Sequence, residues 1–191
     1  MLGGAVRGLW IAALAGAVVV AFAACGGDDD EESTGTTATS SASAPSTSTT
    51  DPSAEVEAAY LAYWDAYLKA SSEPVKPDLP ELQALMTGDH QRAVARNLRN
   101  LQGSGRAVRE RENSRYRNVF ERADFADEAE ASFSACSYDD LVTYDVGTGE
   151  PVDDSVATKW LEGQMVREGA AWKVARLEIV RREPGRDQCP R

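Results

Sequence analysis

The residues of this chain that could do chemistry are few and dispersed. A single histidine, His90, stands beside Asp89 at an expected helix start, where an exposed side chain is the ordinary outcome. Asp139-Asp140 and Asp153-Asp154 are adjacent carboxylates of the kind that divide acid and base work, yet each pair falls at an expected strand end, where Asp serves turns. Gly103-Ser104-Gly105 lacks the spacing of a serine nucleophile elbow, and Gly147-Thr148-Gly149 is neither a phosphate loop nor a dinucleotide loop. Both read as turns. These residues assign no catalytic group, no metal ligands and no cofactor. Two patterns suit non-covalent recognition better. Tyr60, Tyr63, Trp64 and Tyr67 recur along one helical face. Between residues 92 and 122 nine Arg face only Glu110, Glu112 and Glu121, and Arg92, Arg96 and Arg99 share one face that could meet an anionic partner. The plainer reading pairs these arginines with Glu128, Glu130 and other acids.

The elements that must position these groups follow from periodicity. Asp51-Pro52 has the residue types of a helix start, and Val56, Tyr60, Tyr63, Trp64, Tyr67 and Leu68 continue at three- and four-residue spacing. The Pro-rich stretch 73–80 ends that helix. Pro80 opens a short second one carrying Leu82, Leu85 and Met86, and Thr87-Gly88 breaks it. Asp89 is the expected cap of a third helix with Val94, Leu98 and Leu101 inward, stopped at Gly103-Ser104-Gly105. Beyond residue 106 the period falls towards two, with strand-like runs near 107–112, 115–122, 128–138, 156–167 and 171–182. In the last run Trp172 and Val174 share one phase while Leu177 and Ile179 share the other, which predicts a β-bulge near Ala175. Helices followed by meandering strands predict an α+β fold, N-terminal helices on a mostly antiparallel sheet.

Of 191 residues, 31 are acidic and 20 basic, a net charge of -11 that excludes a nucleic-acid binder by bulk charge. After Arg7, residues 9–24 are uncharged and rich in Leu, Ile, Val and Ala, the order of a secretory signal and too short for a confident membrane span. Phe22-Ala23-Ala24-Cys25-Gly26 resembles the lipobox of bacterial lipoproteins, which implies diacylglycerol on Cys25; the competing reading is an ordinary cleavage site beside an incidental cysteine. Residues 28–32 are five consecutive acids, and the Ser/Thr-rich stretch behind them contains no Val, Leu, Ile or aromatic residue before residue 54. Such a segment cannot offset the entropy of ordering, so residues 25–54 form the expected tether. Residues 55–191 remain for a single domain.

The helix order, the long sheet and the closing strand Gly169-Ala170-Ala171-Trp172-Lys173-Val174 resemble the nuclear-transport-factor-2-like (SnoaL-like) domain of secreted bacterial lipoproteins. The resemblance implies a cone-like fold in which the first helix faces the concave side of the sheet. A cavity there would make Tyr60, Tyr63, Trp64 and Tyr67 a possible pocket for an apolar small molecule. Secreted lipoproteins of this type also carry a mid-strand Cys, an acidic turn with a Thr-Gly pair and a C-terminal Cys. Cys136, Asp139-Asp140, Thr148-Gly149 and Cys189 match that arrangement, which implies a Cys136–Cys189 disulfide once Cys25 is lipidated. No acid and base set of the family's isomerases or cyclases carries over. The expectation is therefore a membrane-anchored, extracytoplasmic lipoprotein on the outer face of the cytoplasmic membrane. Its domain would bind an envelope protein or an apolar small molecule without catalysis. The alternative is a small-molecule isomerase, dehydratase or cyclase of the same fold.

Replacing Cys25 by Ala in the native host should release the protein from the membrane fraction or leave an unprocessed precursor. Normal processing with unchanged membrane retention, followed by immunoblotting of fractions, would refute lipidation at this residue.

Overall fold

The computed structural model describes residues 51–191; the expected signal segment 1–24, Cys25 and the expected tether as far as residue 50 lie outside the described residues. Helix α1, Pro52–Ser71, starts where the Asp51 carboxylate accepts the Ser53 N–H at 2.9 Å, with Pro at the first helical position. Its Val56, Tyr60, Tyr63, Ala66 and Ala70 are buried, one face of a 3.6-residue period. The short α2, Pro80–Ala84, buries Leu82. Helix α3, Gly88–Gly103, has Thr87 at its N-cap position without a side-chain capping hydrogen bond, and Asp89 sits inside the first turn and pairs with Arg92. The chain leaves α3 through Gly105, whose φ of 66° favours a residue without Cβ.

Seven strands follow: β1 Arg106–Arg109, β2 Arg117–Phe125, β3 Glu130–Asp139, β4 Val142–Asp145, β5 Pro151–Asp153, β6 Ala157–Glu168 and β7 Ala171–Pro184. They form a four-stranded sheet, β2-β3-β6-β7, and a three-stranded one, β1-β4-β5, with every pairing antiparallel. The α+β architecture with helices packed on antiparallel sheet is the one expected. Strands β4 and β5 were not expected from the sequence; four and three residues are too short to show a period, and the Gly-Thr-Gly turn between them dominated that stretch. The anticipated bulge is present: Gln164 pairs with Arg176 and Met165 with Val174, so Ala175 is left over, and a second offset leaves out Val180.

Side chains on the inner face of β3 and β6 oppose each other as Ala131 with Met165, Phe133 with Gly163, Ala135 with Leu161, Ser137 with Lys159, and Asp139 with Ala157. One end of that series is a packed core. A Cβ at Gly163 would lie 2.3 Å from the Phe133 ring and 2.7 Å from the Arg176 carbonyl oxygen, so Gly163 is the space the ring occupies. Phe133 stacks on Phe120, centroids 5.8 Å apart, and both meet Tyr60 of α1 at 5.2 and 5.8 Å. Each such ring, fully buried, contributes about 1.5–3 kcal/mol by removal from water.

The outer face of β3 holds a second, smaller core of Cys136, Tyr138 and Cys189 with Val119, Val156 and Trp160 against it. Cys136 and Cys189 form the disulfide, their Cα atoms 5.5 Å apart. The tail is tied down further. Thr158 Oγ1 donates to the Arg186 carbonyl and accepts the Gln188 N–H, while the Arg117 guanidinium binds Asp187 and the Pro190 and Cys189 carbonyls.

The bridge closes a separation of 53 residues, for which loop entropy gives about 4 kcal/mol of stabilisation as an upper figure. Denaturant unfolding of the oxidised chain should lose up to that amount on reduction or in a Cys136→Ser, Cys189→Ser double variant. Alkylation of both thiols in the folded, unreduced protein would contradict the pairing.

Candidate functional site

The other end of the β3/β6 series is not packed. Where the closed end has Phe133 and Met165, the open end has Ser137, Asp139, Ala157 and Lys159, which are too small or too polar to fill the space under α1. A cavity of about 550 Å³ results, bounded by α1, α3, β1, β3, β4, β5, β6 and β7. Its aromatic wall is Tyr63, Trp64 and Tyr67. Trp64 lies edge-on to both tyrosines, with centroids 5.2 Å from Tyr63 and 5.7 Å from Tyr67. Three of the four residues singled out from the helical stripe thus line the cavity, whereas Tyr60 is wholly buried in the packed end.

Three groups join them that the sequence did not single out as pocket residues. Tyr116, just ahead of β2, lines the cavity and accepts the Asn118 amide N–H at 2.8 Å. Lys159 and Asp139 pair across the sheet at the polar end. His90 was expected to be exposed; it is half-buried and lines the cavity, its Nε2 3.2 Å from the Tyr63 hydroxyl. The reason is the helix start at Thr87, which turns His90 towards α1 while Asp89 stays in solvent. One clue was available: His90 and Val94 are four residues apart, one helical turn, on the inward side of α3.

Burial sets the protonation of these groups. Loss of water around the ring pushes the His90 pKa below its ordinary 6.5 and so favours neutral imidazole. The same cause raises Tyr63, Tyr67 and Tyr116, which stay protonated; carboxylate Asp139 adds to the rise at Tyr67 and Tyr116. The other carboxylates have turn roles. Asp140 is buried and accepts Ser114 Oγ at 2.5 Å and the Arg115 N–H at 2.8 Å, and Asp153, at the cavity rim, accepts the Ser155 N–H at 3.0 Å. Among the described residues no group of three or more His, Cys, Asp or Glu is placed to hold a metal ion.

The arginine-rich stretch divides into two kinds. Arg92, Arg96 and Arg99 are exposed on the outer face of α3, but Arg92 pairs with Asp89 and Arg99 with Asp78 at 3.3 Å, which leaves Arg96 as the unpaired member of that face among the described residues. The later arginines do not pair with Glu128 and Glu130, but two of them pair with other acids, Arg117 with Asp187 at 2.9 Å and Arg122 with Asp124 at 3.5 Å. Three others tie loops: Arg109 stacks on Tyr144 and donates to the Gly149 carbonyl, Arg111 to the Asp140 and Asp154 carbonyls, and Arg115 to the Tyr138 hydroxyl. The hairpin turns they secure expose carbonyl oxygens that a guanidinium satisfies in pairs.

No family model matches the sequence, and no curated protein matches it. The fold is similar to that of the intermembrane space region of the chloroplast protein ARC6, with a TM-score of 0.50 and 13% identity over 64% of this chain and 92% of that one. A ketosteroid isomerase-like protein from Erwinia carotovora atroseptica SCRI1043 aligns at a TM-score of 0.43 and 15% identity, over 65% of this chain and 91% of that one. At 13% identity the ARC6 likeness is one of fold alone.

Because His90 is the single histidine, its titration is directly observable. Proton NMR should place its midpoint below 6.5. A depressed folded pKa means the unfolded chain binds the proton more readily, so this part of stability is complete above pH 6.5 and is lost as pH falls through the folded value. His90→Asn should flatten the stability profile in that window. A midpoint at or above 6.5 would show that the imidazole is not desolvated.

Proposed function

We propose that this chain is a lipid-anchored, extracytoplasmic protein whose domain binds an apolar, ring-bearing small molecule in the cone cavity. Export and anchoring rest on the residue pattern of positions 1–32: an uncharged apolar segment, small residues before Cys25 and an acidic run behind it. The binding reading rests chiefly on one observation. The cavity joins an aromatic wall to ionisable groups that are already committed, Asp139 to Lys159 and His90 to Tyr63. Pockets of this size with few, well-placed polar groups are the usual form of small-molecule sites. A second reading, an isomerase, dehydratase or cyclase, draws on His90, a half-buried neutral imidazole inside the cavity that could accept a proton.

The test uses the exported chain, residues 25–191, with Cys25→Ser to keep it free of lipid. It is incubated with an organic extract of the host envelope, and retained compounds are read by mass spectrometry at low and high salt. A compound retained by this chain but not by an Ala93→Trp variant, whose indole would occupy the cavity, with little dependence on salt, supports the proposal. Retention that is equal in the blocked variant, or none at all, overturns it. Conversion of the compound that disappears in His90→Gln would transfer the case to the enzyme reading.

A further inference from the structure

Strand β7 grades the inner side of the sheet from apolar to basic. Leu177, Ile179 and Arg182 stand opposite Gly163, Leu161 and Lys159 of β6, and all of these except Gly163 line the cavity. From Leu177 to Arg182 is about 15 Å of strand. Ile179 is 53% exposed, a large apolar side chain left open at the mouth, and the exposed Arg182 follows it along the strand. Two cations of the lining, Lys159 and Arg182, are thus cross-strand partners, and they differ in company. Lys159 is paired with Asp139. Arg182 has a neutral partner, Ser155 Oγ, which accepts one of its N–H groups at 3.1 Å, and among the described residues it belongs to no ion pair. The other acids of the lining are engaged elsewhere, Asp153 with the Ser155 N–H at 3.0 Å and Glu178 with Arg176 at 2.8 Å. A guanidinium carries five N–H donors in a plane, so most of the Arg182 fork is free for a ligand.

We propose that the cavity takes a ring-bearing monocarboxylate, with its ring against Trp64 and Tyr67, its aliphatic part over Leu177 and Ile179, and its carboxylate on the Arg182 guanidinium at the mouth. The proposal rests on the small-molecule reading above and names its ligand class. The ring enters the neutral, aromatic end, while the carboxylate stays at the exposed rim and keeps part of its water, so its desolvation costs little. A planar carboxylate matches the guanidinium fork. A dianion fits less well, because one unpaired cation would meet two negative charges in a lining that already holds Asp139 and Asp153. An amine fits worst, since Asp139 is committed to Lys159 and Arg182 repels it. An exposed ion pair contributes little energy, so apolar burial sets most of the affinity and the arginine sets which end of the ligand points out.

The probes are 4-(naphthalen-2-yl)butanoic acid, its primary amide and 4-(naphthalen-2-yl)butan-1-amine, nearly one shape carrying a negative, no and a positive charge at neutral pH. Each is measured by equilibrium dialysis against the exported chain carrying Cys25→Ser. At low salt the acid should bind about five-fold tighter than the amide, the upper weight of an exposed ion pair, and the amine more weakly than the amide. In about 1 M salt, where the Debye length falls to about 3 Å, the acid's advantage should shrink towards parity while the amide is unchanged. Arg182→Gln should abolish that advantage and leave the amide unchanged, and Arg182→Lys should keep part of it. Arg96→Gln, which removes a charge from the outer face of α3, should alter none of the three. Near-ultraviolet circular dichroism checks that each variant keeps its packing; if Arg182→Gln does not, the salt series and the order of the three probes decide. Equal binding of acid and amide at low salt, an acid advantage that survives Arg182→Gln, or tightest binding of the amine would overturn this inference and leave the small-molecule reading standing. Binding of none of the probes, or undiminished binding in the Ala93→Trp variant, would overturn both readings.

Discussion

The contact on which the rest of the domain depends is the Phe133 ring lying across Gly163. A side chain at that position of β6 would occupy the ring's own volume and press on the β7 backbone at Arg176. Because the space is free, Phe133 lies low on the sheet and offers its face to Tyr60 and Phe120, and α1 seats on that platform through Val56 and Tyr60. The seat fixes the axial position of α1. Three to seven residues beyond Tyr60, about one to two turns further along, the helix carries Tyr63, Trp64 and Tyr67 out over the small and polar end of the sheet. The cavity is thus a consequence of register: the helix is anchored at one end over large side chains and runs on over small and polar ones.

The two faces of β3 divide the work. Alternation sends Phe133, Ala135, Ser137 and Asp139 inward and Cys136 and Tyr138 outward, so one strand lines the cavity and holds the C-terminal tail. Cys136 lies next to Ser137 along the chain and opposite Trp160, itself next to Lys159. The disulfide therefore fixes the outer side of the same strand positions whose inner side frames the polar end of the cavity. Arginine supplies the remaining ties. A guanidinium presents its donors in a plane and can satisfy two carbonyls at once, as Arg111 does at Asp140 and Asp154 and Arg117 does at Cys189 and Pro190. A local excess of Arg in a chain of negative charge is in large part the cost of holding hairpin turns and a tail without regular backbone pairing.

Much of this was legible in the residues. The aromatic spacing of α1, the phase change around Ala175 and the α+β order correspond to strong local signals, a 3.6-residue period, a period of two and its interruption, whereas the Cys136–Cys189 pairing is implied by the family resemblance and by no local pattern. Gly163 was also legible in principle, since a glycine inside an otherwise β-rich run marks a close approach, but its meaning depends on a partner, Phe133, thirty residues away in sequence. Strands β4 and β5 are too short to carry a period. The position of His90 turned on a cap: Asp89 has the better capping side chain, but Thr87 lies where the chain leaves the Met86 bridge to Val174, and that pairing sets where α3 begins. Tyr116 and the Asp139–Lys159 pair were invisible as site residues because their meeting is a matter of strand register, which no single segment specifies.

One cause, removal of water under α1, gives the site its chemical character. Burial disfavours the charged form of every group it reaches, and it acts on bases and acids in opposite senses: it lowers the pKa of imidazole and raises that of phenol. Both shifts end in neutrality, so the cavity holds a neutral histidine and protonated tyrosines over a wide range of pH. Among the charged groups of the lining, Lys159 and Asp139 form a pair, and the Arg182 guanidinium donates to Ser155 Oγ. The neutral histidine and phenols of the aromatic side exert little long-range pull on ions. The selectivity of that side must then reside in shape and in the direction of short hydrogen bonds. Direction is where Asn97 and Asn118 matter, because their amides donate to the Tyr67 and Tyr116 oxygens and hold those hydroxyls in place at the cavity wall.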